Sequence, residues 1–368
     1  MDASPALGMS ATAVPTIADL LAGTAFAALA RPRASDPDGW LGAWRALPAR
    51  PVAYSAGMID YQHAYLQGAG WTLSDASLVL TNDRRSCGLW PLSLGGAGAP
   101  TLTSQGEPIA QPLFAAGTSP HTVKRIVSGA LEWLDHVAGA LGRPEFRCCE
   151  HARPGFADEG LSEFYQQSCR RGARLSHVDH DMYVDLRREL EQIRASWRKS
   201  FRPLVTAGLR SWSVHVMGAG EPRHEVWETF RQLHRRVAGR DTRPAPTWEK
   251  QWRMIVENEA LLVWLEDADS RMVGGGFFQL TDWEALYSVA AYDRDLFDKP
   301  LGHVVQARAI EEFKQRGVRW YRLGALKFPE DHDKPSAKDL TIGMFKQGFA
   351  SHLFAKIVYA QRRSETSG

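Results

Sequence analysis

The stretch that decides the fold is residues 261–292, LLVWLEDADSRMVGGGFFQLTDWEALYSVAAY. It contains three apolar runs, at 261–266, 272–280 and 285–292, which are separated by short polar turns rich in aspartate. Short β-prone runs joined by a few polar residues are typical of hairpins. The stretch therefore predicts three consecutive antiparallel strands.

The residues after this meander predict a helix, a strand and a second helix. Residues 303–316 place an apolar side chain at every third position, and Gly317 follows as a natural stop. Residues 318–323 are β-prone, and residues 340–349 return to a helical pattern. The whole segment thus reads as a strand meander followed by helix, strand and helix.

Length and composition are those of an ordinary globular protein. The chain has 368 residues, of which 44% are hydrophobic and 23% charged, and its net charge is +2. This length suggests two domains, and the small charge leaves only local basic clusters as nucleic-acid contacts. The four cysteines form neither a disulfide framework nor a zinc spacing, and no run is apolar enough to span a membrane. We expect a cytoplasmic protein with free thiols, no membrane span and no metal.

The first half of the sequence repeats the pattern of the second. Residues 77–94 resemble the hairpin at 261–280. Further elements follow in the same order: a helix at 122–140, a strand at 145–149, a helix at 161–169 and one or two strands at 174–186. The repeat indicates an internal duplication. It predicts a partly disordered or helical N-terminal arm at 1–49, a first domain at 50–186 and a second domain at 187–368.

The second half ends on residues 344–349, MFKQGF. This segment, in this order of elements, resembles the Phe-Lys-x-Gly-Phe close of the Fem peptidyltransferases and their acetyltransferase-like relatives. Those proteins are built from two GNAT-like domains and join an acyl or aminoacyl group to an amine. The resemblance implies an α/β fold of two tandem GNAT-like domains, with mixed, mostly antiparallel sheets flanked by helices. It also places the reaction in the second domain.

Three residues are candidates for catalysis. The resemblance places Lys346 in the acyl-transfer channel, where its ammonium would stabilise an oxyanion. A surface lysine with an apolar stem is the alternative. His303 opens the long helix, whose dipole would lower the pKa of the imidazole and make it a neutral base, unless it only packs or caps. Alternation along the third strand points Tyr287 toward the same cleft.

Other polar residues are candidates for binding. A proline-stiffened loop at 238–248 suits a planar anionic or sugar-like ligand, although a solvated loop anchored by its tryptophan is the alternative. The predicted substrate-binding residues are Arg240, Thr242, Arg243, Trp248, Gln306 and Arg322. At Arg322 the Fem strand more often carries an acidic residue.

A basic row follows the predicted helix at 189–201, which Pro203 should end or kink. Such a row would suit tRNA phosphates, although the wet face of an ordinary amphipathic helix is the alternative. The predicted phosphate-binding residues are Arg194, Arg198, Lys199 and Arg202.

The acyl donor is the remaining question. GNAT enzymes cradle CoA with [Gln/Arg]-x-x-Gly-x-[Gly/Ala], whereas residues 298–303 read DKPLGH, in which only one glycine fits. This favours aminoacyl-tRNA as a co-substrate, with no permanently bound cofactor and an amine or hydroxylamine of a small metabolite or sugar as acceptor. The alternatives are an acyl-CoA-dependent N-acyltransferase acting on an amino sugar or antibiotic precursor, and a non-catalytic RNA- or protein-binding module.

Residues 331–333, Asp-His-Asp, lie between two prolines in a loop. They could ligate a metal, but consecutive ligands seldom converge on one ion. A mobile lid is the favoured interpretation.

Overall fold

Residues 14–152 and 160–362 are described by a computed structural model. The helices of the first half are α1 (Ile17–Leu21), α2 (Pro37–Ala46), α3 (Ala56–Gly68), α4 (Pro120–Ala140) and α5 (Glu163–Arg170). Its strands are β1 (Ala30–Pro32), β2 (Thr72–Asp75), β3 (Leu78–Asn82), β4 (Arg85–Trp90), β5 (Ser93–Gly96), β6 (Thr101–Thr103), β7 (Ile109–Ala110), β8 (Leu113–Phe114), β9 (Glu145–Ala152) and β10 (Arg174–Asp185).

The second half follows the order of elements that its sequence predicts. Its helices are α6 (Leu190–Ser196), α7 (Phe201–Ser211), α8 (His224–Ala238), α9 (Ala245–Val256), α10 (Leu301–Gln315) and α11 (Ala337–Gln347). Its strands are β11 (Ser213–Met217), β12 (Ala260–Glu266), β13 (Met272–Leu280), β14 (Glu284–Tyr292), β15 (Trp320–Leu326) and β16 (His352–Arg362). The predicted meander is confirmed, because β12, β13 and β14 pair antiparallel in sequence order.

The strands β14 and β15 are parallel neighbours for only a short distance. They pair from Glu284 to Leu286 on β14 and from Trp320 to Arg322 on β15. Beyond this point β14 continues to Tyr292 without β15 beside it. The two strands therefore separate and leave a gap at one edge of their pairing.

Each half of the chain inserts its last strand into the sheet of the other half. The nine-stranded sheet has the order β11-β12-β13-β14-β15-β10-β16-β9-β7. Strand β10 lies between β15 and β16, and β16 lies between β10 and β9, all in antiparallel pairing. The exchange joins the two halves into one sheet. Strand β16 has no counterpart in the sequence prediction.

The first half builds a similar meander from bent strands. Its predicted hairpin is confirmed as the β3–β4 pair, but this pair belongs to a separate four-stranded sheet, β1-β3-β4-β8. Strands β2, β5 and β6 form a further sheet in the order β2-β5-β6. Along the chain, β2 directly precedes β3 and β5 directly follows β4. Strand β7 joins the large sheet at its edge, where it runs parallel to β9 as β14 does to β15.

Two local features differ from the sequence prediction. The helix expected at 189–201 is divided into α6 and α7, so the break precedes Pro203. Pro203 instead lies in the first turn of α7, where a missing amide hydrogen costs nothing. Residues 14–49 pack into the first half, since Leu20 and Trp40 are buried and β1 pairs with β3. The domain boundaries drawn from the sequence stay a prediction.

Helices pack on both faces of the sheet in the second half and bury two cores there. On one face α10 contributes Ile310 and Phe313, and on the other α8 and α9 contribute Phe230 and Trp248. In the first half α4 contributes Leu131 and Trp133 to a core of its own. Within residues 14–152 and 160–362, every helix is too short or too polar to cross a bilayer.

Candidate active site

A cavity of about 840 Å³ opens where β14 and β15 separate. Its walls are the second half of β14, the first turn of α10 and one side of α11. Most of the lining side chains are apolar, and they include Val289, Phe297, Ile342 and Phe345. Lys299, Lys338 and Lys346 also line it. The cavity therefore suits a ligand with an apolar part and an anionic part.

Lys346 bridges the gap between the two separated strands. Its Nζ lies 5.3 Å from the ring centre of Tyr287 on β14. On the β15 side, Nζ is 3.1 Å from the position that a Cβ on Gly324 would occupy. Because Gly324 has a φ of +112° and no side chain, it leaves room for the ammonium. Lys346 Nζ makes no hydrogen bond or ion pair with any residue of the described part of the chain.

The environment of Lys346 lowers the pKa of its ammonium group. Burial and then the nearby Arg322 guanidinium lower the pKa of the Lys346 ammonium to about 8, although Asp181 opposes both effects. Lys346 is thus mostly protonated at pH 7 but titrates close to the physiological range. Buried groups with shifted pKa values are concentrated at functional sites.

A second cavity of about 390 Å³ lies on the other side of α11. Lys327, Asp333, Lys334 and Asp339 give this cavity a mixed charge. Lys346 lines both cavities. A molecule in either space can therefore approach the same ammonium.

Tyr287 belongs to a buried group of tyrosines behind Lys346. Its hydroxyl lies 3.1 Å from that of Tyr292, and burial raises the pKa of Tyr287. Gln306 is fully buried and accepts a hydrogen bond of 2.5 Å from the Tyr321 hydroxyl. Tyr287 lines the large cavity, whereas Gln306 lies behind its wall. The proposed substrate-binding role of Gln306 stays a prediction.

His303 lines the same cavity, inside a cluster of aromatic rings. Its ring centre is 4.5 Å from that of Phe201 and 5.1 Å from that of Phe345. Burial and then Arg198 lower the pKa of His303 to about 4, so its imidazole is neutral at pH 7. Neutrality agrees with the sequence expectation, but its main cause is burial among aromatic rings.

Arg322 is held in an ion pair at the junction of the two halves. Its Nη2 donates to Asp181 Oδ1 on the exchanged strand β10 at 2.9 Å. Burial alone would lower the pKa of Arg322, but Asp181, Tyr183 and Glu284 together outweigh burial, and the pKa is raised above its ordinary range. Strand β10 thus places an acidic side chain beside Arg322. Contact of Arg322 with substrate stays a prediction.

The residues of the 238–248 loop do not line this cavity. The Arg243 guanidinium lies between the rings of Tyr65 and Trp248, 6.0 Å and 5.7 Å from their centres, and Nη1 is 3.2 Å from Thr242 Oγ1. Trp248 is buried in α9. Arg240 lies on a different surface. These contacts stabilise the loop, and its role in binding substrate stays a prediction.

The basic row near α6 is engaged in contacts within the protein. Arg194 forms ion pairs with Glu191 and Glu311 at 3.0 Å and 2.7 Å. Arg202 donates to the backbone carbonyls of Arg194 and Ala195, and so it satisfies the end of α6. Two further members complete the row: Arg198, which donates to the Met344 carbonyl, and Lys199, which is exposed. Contact with tRNA stays a prediction.

A second basic surface lies on α8 and the loop after it, where only Arg240 was predicted from the sequence to bind a ligand. Arg231, Arg235, Arg236 and Arg240 line a surface cavity of about 750 Å³, together with the acidic Glu228 and Asp241. The guanidinium of Arg236 is 3.9 Å from Asp293, which directly follows β14. This surface therefore borders the strand that lines the large cavity. The helical spacing of these arginines could have revealed it.

Comparison with solved structures defines the fold class. The chain shares its fold with FemX, with a domain of a putative lysylphosphatidylglycerol synthetase and with L-PGS. It is similar to FemX with a TM-score of 0.65 and 12% identity over 89% of this chain and 95% of that one. It is also similar to the C-terminal domain of a putative lysylphosphatidylglycerol synthetase from Agrobacterium fabrum, with a TM-score of 0.55 and 12% identity over 89% and 92% of the two chains. For L-PGS from Bacillus licheniformis the TM-score is 0.54, with 12% identity over 90% and 93%.

Sequence comparison adds no closer relation. The sequence matches no protein-family model and has no significant match among curated proteins. The structural likeness confirms the predicted fold and the resemblance to the Fem and GNAT-like architecture. At this level of identity it defines the fold, and the chemistry has to be argued from the site.

Proposed function

We propose that the chain is an acyltransferase that transfers an acyl or aminoacyl group to an amine beside Lys346. The observation that carries this proposal is the position of one buried ammonium in the wall shared by two cavities. The donor would occupy one cavity and the acceptor the other. Their reacting atoms would then meet next to a preorganised positive charge.

The chemistry is direct attack of a neutral amine on an ester or thioester carbonyl. A carbon–nitrogen bond forms, and the carbonyl oxygen becomes an oxyanion that the Lys346 ammonium stabilises. Collapse of the intermediate breaks the bond to the donor oxygen or sulfur, which leaves with the acyl bond electrons. A base accepts the amine proton, and the neutral His303 imidazole is the candidate in the cavity.

Aminoacyl-tRNA is the donor that we favour. The four arginines at the end of α8 lie beside the strand that lines the large cavity, and they could contact a polyanion whose acylated end enters that cavity. The apolar walls suit an aminoacyl side chain. The acceptor would be a small polar amine or hydroxylamine in the second cavity, which presents both lysine and aspartate side chains.

One observation favours acyl-CoA as the second candidate donor. Gly302 and His303 line the large cavity at the start of α10. Across the described residues, their backbone amides have no backbone acceptor, and Lys299 is adjacent. Free amides at a helix N-terminus bind phosphate groups well. A pyrophosphate at this position would leave the thioester free to extend toward Lys346.

The donor is tested by purifying the protein from its host and analysing what it retains. Bound material is stripped and assayed separately for acylated tRNA and for CoA thioesters. Enrichment of tRNA charged with one amino acid supports the favoured donor, and CoA thioester without tRNA selects the second candidate. Retention of uncharged RNA alone, with no transfer to any amine by either donor class, would refute the acyltransferase proposal and favour a binding module.

A further inference from the structure

Strand β10 and the loop after β15 bring together His177, Asp179 and His332. One potential ligand atom from each side chain lies within 4.8 Å of the other two. His177 Nε2 is 3.8 Å from Asp179 Oδ2, and the imidazoles of His177 and His332 face each other with their centres 3.5 Å apart. Because His177 and Asp179 are two positions apart on a strand, they share one face of the sheet.

The facing atoms of these side chains lack hydrogen-bond partners within residues 14–152 and 160–362. His177 Nδ1 is 3.0 Å from Ser176 Oγ, which leaves Nε2 directed at Asp179. The Asp179 carboxylate receives no hydrogen bond from these residues, although its side chain is only 18% exposed. A carboxylate that accepts no hydrogen bond from the protein has lone pairs available to bind a cation.

The neighbouring lysines form only long ion pairs with Asp179. Lys327 Nζ and Lys356 Nζ each lie 3.9 Å from it, within ion-pair distance but beyond hydrogen-bond distance. Each has a closer carboxylate, since Lys327 is 2.6 Å from Asp333 and Lys356 is 3.1 Å from Glu107. Asp179 is therefore the carboxylate in this group that is left for another cation.

We propose that His177, Asp179 and His332 bind one divalent transition-metal ion, with Zn²⁺ as the best match to two imidazoles and a carboxylate. Ligand bonds of about 2.0–2.2 Å require the three atoms to approach each other by roughly 1 Å on binding. Ser176 would orient the His177 ring from its outer side, as the second ligand shell of metal sites does. His332 is exposed, so the fourth ligand would be water.

The ion would fasten two parts of the chain that are far apart in sequence. His332 belongs to the loop whose Asp333, Lys334 and Pro335 line the second cavity. His177 and Asp179 lie on the strand that the first half inserts beside β15. From the sequence, residues 331–333 were not favoured as a metal site, since consecutive ligands seldom converge on one ion. Here only one residue of that triplet is used. This inference does not depend on acyl transfer.

The test is metal binding by the full chain without an affinity tag. Protein stripped with a chelator is titrated with Zn²⁺ by calorimetry and with Co²⁺ by visible absorption. We expect one ion per chain. His177→Ala and His332→Ala should each weaken binding by at least about 100-fold, since loss of a supporting residue alone costs 10- to 100-fold. His121→Ala, an exposed histidine on α4, is the matched control and should bind as the wild type does.

Thermal unfolding provides a second measurement on the same proteins. Zn²⁺ should raise the Tm of the wild type and of His121→Ala, because it binds only the folded chain. It should not raise the Tm of His332→Ala, whose exposed loop position leaves the core intact. Binding that is unchanged in both site variants, or a Zn²⁺-induced rise in Tm that persists in them, would overturn the proposal.

Discussion

Each half places a buried ionisable side chain near a pair of parallel strands. The two side chains differ in their hydrogen-bond partners and in the space around them. In the second half, Lys346 lies where β14 leaves β15, beside a cavity of about 840 Å³. In the first half, β7 runs parallel to β9, and Glu150 of β9 is fully buried. The cavity near α4 and α5 in this half measures only about 240 Å³.

Glu150 and Lys346 differ in whether the protein supplies hydrogen-bond partners for the charged group. Glu150 accepts hydrogen bonds of 2.6 Å from both the backbone amide and the hydroxyl of Ser162, which caps α5. The first-half core is filled by Phe164 against Trp90, with ring centres 5.5 Å apart. Lys346 has room and no comparable partner in the described chain. Two similar topologies therefore yield a structural carboxylate in one half and an available cation in the other.

The largest expected effect comes from removing that cation. Lys346→Met should lower kcat/KM for acyl transfer by at least about 100-fold, as loss of an oxyanion donor does. Glu150→Gln should change it less than about threefold, because Glu150 touches neither cavity. Lys124→Met, an exposed lysine on α4, controls for the loss of a charge. Equal losses in the Lys346 and Glu150 variants would break the comparison.

We expect Glu150 to make the free energy of unfolding depend on pH. Burial raises its pKa from 4.5 to about 7, although Ser162 opposes the shift. The folded chain therefore binds more protons than the unfolded chain between these pH values, and the free energy of unfolding falls as pH rises through this window. The loss is about 3 kcal/mol at most, from about 1.4 kcal/mol for each pKa unit.

Denaturant unfolding of wild type and Glu150→Gln at pH 5 and pH 8 measures this contribution. The variant has no carboxylate to titrate, so its stability should change less between the two pH values. If both proteins show the same dependence, Glu150 is already charged in the fold and the contrast with Lys346 disappears.

Lys346→Met should stabilise the protein while it lowers activity. Burial lowers the pKa of Lys346 from 10.5 to about 8, so holding its charged form at pH 7 costs stability. Allowing for partial exposure, methionine should raise the free energy of unfolding at pH 7 by up to about 2 kcal/mol. Chemical denaturation with Lys124→Met as control tests this. A destabilised Lys346→Met would mean that the ammonium is well satisfied.

The helices and strands that could be predicted from the sequence are those with a clear local residue pattern. The apolar runs of β12 to β14 and the threefold spacing in α10 depend on neighbours within a few residues, and these elements were predicted correctly. The corner between α6 and α7 was missed because buried Trp197 and Phe201 both pack against Phe349, far along the chain. A continuous apolar stripe does not show such a break.

Contacts between segments that are far apart in the sequence could not be predicted from such local patterns. Arg322 pairs with Asp181 only because β10 is inserted beside β15, and the register of that insertion is set by the folded sheet. The arginines near α6 look solvated in sequence, yet Arg202 donates to backbone carbonyls. Sequence alone does not distinguish a guanidinium that faces water from one that completes a helix end.

The pH dependence of catalysis sharpens the role of Lys346. The attacking amine must be neutral, so kcat/KM should rise from pH 6 toward about pH 8. If Lys346 stabilises the oxyanion as an ammonium, activity should then fall by up to about tenfold per pH unit above its pKa of about 8. If Lys346 instead accepts the amine proton, activity should reach a plateau there. Lys346→Arg separates these cases, because its guanidinium stays charged: an oxyanion role predicts residual activity without the alkaline fall, and a base role predicts none.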